Sequence, residues 1–105
     1  MLKIYEVTLE LVVAMRPVVA MLKRHNTHLA DQLTRAMDGI TLNISEGSLS
    51  QGKKRNALYF IAMGSTQEAL SCLDLAKAWG YAPDVTRETT EKFRRVIGTL
   101  HRIVH

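Results

Sequence analysis

Apolar residues return at every third or fourth position along four successive stretches of this 105-residue chain, and no stretch alternates as a half-buried strand would. The first set, Ile4, Val7, Leu11, Met15, Val18 and Leu22, predicts a helix over residues 2–24. Pro17 interrupts its ladder, costing about 3 kcal/mol unless packing accommodates a bend. Asn26 or Thr27 caps a second helix, which carries Leu29, Leu33, Ala36, Ile40 and Ile44 and ends near Gly47. The Gly- and Ser-rich segment 47–52 reads as a connection. A third helix begins near Lys53 and presents Leu58, Ile61, Ala62, Ser65, Ala69, Cys72, Ala76 and Trp79. Five of these are small, so that face admits another helix at short range. Gly80 ends the helix, Pro83 forbids its continuation, and Asp84 opens a fourth over 84–104 with Val85, Thr89, Phe93, Val96, Leu100 and Ile103. Gly64, in mid-helix, costs about 1 kcal/mol relative to Ala, which calls for a neighbouring helix close to it.

Short connections between helices of about this length favour antiparallel neighbours, so the expected fold is all-α, an up-down-up-down four-helix bundle formed by residues 1–105 as one domain. Hydrophobic residues make up 47% of the chain, more than one such core requires. Leu9, Val12, Val13 and Val19 fall outside the first stripe, and Val12, Val13 and Val19 are candidates for a subunit interface.

The net charge of +4 is unevenly placed. Residues 1–52 hold five basic and five acidic side chains, whereas residues 53–105 hold nine basic against five acidic. In the expected bundle Lys3, Lys53, Lys54, Arg55, Arg102 and the amino terminus gather at one end. The run Lys53-Lys54-Arg55 opens a helix, where the macrodipole disfavours cations, so it suits an anionic partner such as a phosphate backbone. Its plainer reading is a solvated charge run. Lys53, Lys54, Arg55, Arg95 and Arg102 are the candidate contacts to RNA or DNA. No zinc motif, helix-turn-helix signature or interleaved aromatics adds base-specific readout.

Other chemistries find little support. Cys72 is the only cysteine, which excludes an intramolecular disulfide and a cysteine zinc site and fits a cytoplasmic protein. The apolar run Val7–Leu22 is broken by Glu10, Arg16 and Pro17, so it reads as a buried helix and not as a membrane or signal segment. His25 with His28, and His101 with His105, have spacings that bring two imidazoles together. They fall at opposite ends of the bundle and read as exposed residues; metal held between subunits is the other reading. No Glu-x-x-His pair marks a di-iron bundle, Cys72 has no evident base, and no serine sits in a nucleophile elbow. Neither an enzyme nor a cofactor is expected.

Two segments resemble a known family. Gln32-Leu33-Thr34-Arg35-Ala36, then Ile40 and Asn43-Ile44-Ser45-Glu46-Gly47-Ser48, is similar to the Q-x-R-R-A…S-I…N-I-A-E-G-S pattern of bacterial four-helix-bundle proteins encoded in intervening sequences of large-subunit ribosomal RNA genes. Tyr59-Phe60-Ile61-Ala62-Met63-Gly64-Ser65-Thr66-Gln67-Glu68, with Leu73, Ala76 and Trp79-Gly80-Tyr81, resembles that family's F-L-x-I-A-x-G-S-x-x-E…L…A…L-G-Y stretch. Arg35, Asn43, Glu46, Gly47, Gly64 and Glu68 are thus the motif positions. Thr34 stands where the first Arg of the usual pair would be, and Thr41-Leu42 where Pro is common. The resemblance implies a four-helix protomer that assembles as a homopentamer. It also implies kinship with the accessory protein of diversity-generating retroelements, which joins a reverse transcriptase and binds nucleic acid through a basic surface. Read from the residues, Asn43 and Glu46 are expected to fasten the connection between helices two and three, with Lys53, Lys54 or Arg55 as the partner of Glu46. The function expected is therefore a homo-oligomeric nucleic-acid adaptor, with a purely self-assembling or protein-binding module as the alternative.

Overall fold

Each apolar stripe becomes the buried side of a helix in the computed structural model, which describes residues 2–105. The helices are α1 (Lys3–Lys23), α2 (Thr27–Ser48), α3 (Gly52–Ala78) and α4 (Arg87–Val104). Consecutive helices pack against each other and α4 closes onto α1, an up-down-up-down antiparallel bundle. The molecule measures 42 × 24 × 20 Å, and α3 alone spans most of the long axis, about 40 Å at 1.5 Å per residue.

All six stripe residues of α1 are buried, and the helix runs through Pro17, whose ring lies on the exposed side. The carbonyl of Val13, deprived of its usual donor, is on that same solvent side, which removes most of the cost of the proline. α2 starts where expected, because the Asn26 side-chain oxygen accepts the Leu29 N–H at 3.0 Å. α3 ends in a glycine cap: Gly80, at φ +87°, donates to the Lys77 carbonyl at 3.0 Å, and Tyr81 donates to that of Ala76 at 3.0 Å.

One boundary and one face differ from the sequence reading. α4 begins at Arg87 and not at 84, because Thr86 rather than Asp84 supplies the cap, its Oγ1 accepting from the Thr89 N–H at 3.1 Å. On α3 the buried side is Tyr59, Ala62, Thr66, Ala69, Cys72, Leu73 and Ala76. Ile61 and Trp79, expected on that side, are 53% and 64% exposed, and Leu58 is half-buried. The small residues win this face because α2 packs there, the most extensive helix pairing in the molecule. A Cβ added to Gly39 would lie 2.6 Å from the Ser65 Oγ, and one added to Gly47 would lie 2.7 Å from the Tyr59 Cδ1. These are the close approaches of the bundle. Gly64 is not one of them: it is exposed with open space around it. Phe93, Val96 and Leu100 of α4 are fully buried and complete the core. The two buried threonines carry no unmet polar cost, since Thr8 and Thr66 donate to the carbonyls of Tyr5 and Ala62 in their own helices.

Candidate nucleic-acid interface

The antiparallel topology puts the start of α1, the α2–α3 connection and the end of α4 towards one end of the bundle. The amino terminus itself lies outside the described residues. How closely the basic residues gather follows from one contact. His105, just past α4, meets Phe60 of α3 edge-on, with ring centroids 5.8 Å apart. The end of α4 therefore stops two turns short of the start of α3, and Lys53, Lys54 and Arg55 lie beyond it. Counting 1.5 Å per residue, Arg102 sits about 14 Å and Arg95 about 24 Å along the axis from Lys54. The five candidate residues are thus spread over about 24 Å of the axis instead of gathered in the compact cluster the topology alone suggests.

Ion pairing among the described residues is confined to the first half of α4. Arg87 pairs with Glu91 at 3.2 Å, and Lys92 reaches across to Glu10 of α1 at 3.3 Å and along its own helix to Glu88 at 3.8 Å. Past Lys92, α4 contains no acidic residue. Among the described residues Lys53, Lys54, Arg55, Arg95 and Arg102 have no carboxylate partner, nor does the exposed Arg94, which the sequence reading passed over. Arg94 also lines a cleft of about 580 Å³ between α3 and α4, together with Asp74 and Lys77. The Arg55 guanidinium hydrogen-bonds the Asn56 side chain at 3.2 and 3.3 Å, and Arg102 bonds Thr99 at 3.4 Å.

The start of α3 adds free donors to this charge. Gln51 provides no side-chain cap and the first turn contains no acid, so the leading N–H groups and the positive pole of the longest helix stand beside Lys53 and Lys54. That combination suits a phosphate oxygen. Arg55 also pulls down the hydroxyl of Tyr59, although burial outweighs it and pushes that phenol above its ordinary value.

The motif residues divide into packing and surface. Gly47 is buried under the Tyr59 ring. Asn43 does not cross to α3: its amide donates to the Gly39 carbonyl at 2.8 Å within α2. Glu46 is exposed and makes no ion pair among the described residues; only its backbone carbonyl holds the connection, accepting from Leu49 N–H at 3.2 Å and Ser50 Oγ at 3.0 Å. The connection is short enough to be closed by its own backbone and serine bonds. Arg35 and Glu68 are exposed, and Glu68 reinforces burial in pushing the Cys72 thiol up, which leaves that cysteine a neutral core residue.

The candidate interface residues on α1 lie along a groove. Val12 and Val19 are half-buried and, with Met15 of α1 and Met37 of α2, line a hollow of about 410 Å³. Val13 is 60% exposed on the outer side.

The model of the 23S rRNA-intervening sequence protein family matches residues 1–102. The chain belongs to that family. Among solved structures, a protein of unknown function from the S23 ribosomal protein family of Bacteroides thetaiotaomicron superposes with a TM-score of 0.80 at 21% identity, covering 96% of this chain and 97% of that one. That likeness carries the fold. No curated protein matches the chain. Among the described residues of this intervening-sequence protein, no helix is long and apolar enough to cross a membrane, and no three metal-ligating side chains cluster.

Proposed function

We propose that this intervening-sequence family member is a non-enzymatic, homo-oligomeric adaptor of the cytoplasm that binds RNA or DNA through Lys53, Lys54, Arg55, Arg95 and Arg102. The observation that carries this reading is that Lys53, Lys54 and Arg55, with no carboxylate partner among the described residues, stand together at an uncapped helix N-terminus. Because the contacts are to the backbone, binding is sensitive to salt and tolerant of sequence. Retention of the purified chain on a nucleic-acid column at moderate salt, lost in the variant K53E/K54E/R55E, supports the reading; equal retention of both overturns it.

The protomer assembles with copies of itself, as a pentamer on the family resemblance. A second run of residues favours assembly: Ala57, Ile61, Gly64, Glu68, Ser71, Leu75 and Ala78 repeat at helical heptad spacing down the outer side of α3, and all are exposed. Small and apolar side chains in that register suit another helix, as do Val12, Val13 and Val19 on α1. A reverse transcriptase is the protein partner to which the retroelement resemblance points, and co-purification with one encoded nearby tests it. The alternative is a self-assembling or protein-binding module whose positive charge only solubilises it. Assembly without column retention would decide for that alternative.

A further inference from the structure

We propose that His101 and His105 form a binding site for a divalent transition metal, for which Zn²⁺ is the probe. The two residues lie one turn apart, and the His105 N–H still donates to the His101 carbonyl at 3.1 Å, so helical geometry persists to the second imidazole. Their ring centroids are 4.2 Å apart with the planes tilted by 43°, a ring contact from which a small side-chain rotation spreads the two nitrogens to the separation that one ion requires. Two histidines four residues apart are the arrangement by which one helix face offers two nitrogens to zinc. Neither imidazole is engaged in a hydrogen bond or ion pair among the described residues, and both side chains are exposed. The edge-on contact with Phe60 restrains the His105 ring, which lowers the entropy lost when a metal orders it.

The surroundings favour a cation more than the local sequence suggests. The last carbonyls of α4 form the negative pole of that helix. Arg102, the nearest charged neighbour in sequence, turns its guanidinium back to Thr99. The other histidine pair lacks this geometry, although its spacing is similar. His25 belongs to the turn after α1 and stacks on Tyr81, with centroids 5.3 Å apart and planes 16° from parallel, whereas His28 belongs to α2. With two ligands from the chain, water completes the coordination of a bound ion, so the site is open and exchangeable, unlike a closed structural zinc site. The ligands must be unprotonated, so acidification releases the metal.

Calorimetric titration of Zn²⁺ into the full chain, in a buffer that does not coordinate metals, tests the site. One saturable site per chain is expected. It disappears in both His101→Gln and His105→Gln, and it is retained in His28→Gln. Circular dichroism checks that each variant keeps its helical signal, which exposed positions permit. Adding Zn²⁺ to the wild type should also shift the imidazole proton resonances of two histidines, assigned by their loss in the two variants. Absence of saturable binding, or an unchanged titration in His101→Gln and His105→Gln, overturns the proposal.

Discussion

Gly47 leaves no room for a methyl group, because the Tyr59 ring occupies the space where a Cβ would point. A ring held in a packed core cannot swing away, so Gly47→Ala should destabilise the protomer by about 1–3 kcal/mol. Thermal melting checks this. Gly64 is the reverse case. Open space surrounds it, so Gly64→Ala should gain up to about 1 kcal/mol of helix propensity and raise the melting temperature of the isolated protomer. If α3 meets another copy through this side, the same substitution weakens assembly. The sequence alone ranks the two glycines the other way round, since mid-helix position singles out Gly64 while the Gly-Ser connection hides Gly47. Only the crossing of α2 and α3 reveals which backbone is approached. The histidine pairs teach the same lesson: their spacings look alike, but one pair is split between a turn and a helix.

At the scale of elements, α2 and α4 were legible because each has one dominant apolar stripe, and α1 because its regular stripe from Ile4 to Leu22 outweighs the second set at Leu9, Val12, Val13 and Val19. α3 was not, because it carries apolar residues on two sides: Ile61, Leu75 and Trp79 outward, and the small residues inward. Periodicity reports that a helix exists, and the neighbouring helix decides which side is buried. The start of α3 makes a further prediction. Gln51→Asp should supply the missing cap and an acid at the positive pole, stabilising the helix by about 1 kcal/mol. The same carboxylate competes with phosphate there, so binding to labelled RNA should weaken while the melting temperature rises. A rise in both stability and affinity would show that this helix end does not face the nucleic acid.

For the whole molecule, composition already signalled a surplus of apolar residues, and the structure locates part of it: Leu9, Val13, Leu42, Leu49, Ile61, Leu75 and Trp79 are exposed. A chain that leaves these outside its core suits an assembly. Light scattering should give a mass about five times the 11.8 kDa of one chain; a monomer at micromolar concentration would remove the pentamer from the account. The basic end was legible as charge but not as shape, because ion pairing and the stagger between α3 and α4 depend on how far each helix runs. The salt dependence of binding reads the phosphate contacts of the basic end directly. The affinity for a labelled single-stranded RNA should fall steeply with added salt. The K53E/K54E/R55E variant should bind more weakly, with a log–log slope shallower by about two, the value for three lost phosphate contacts. A slope and affinity identical in wild type and variant would contradict the proposed interface.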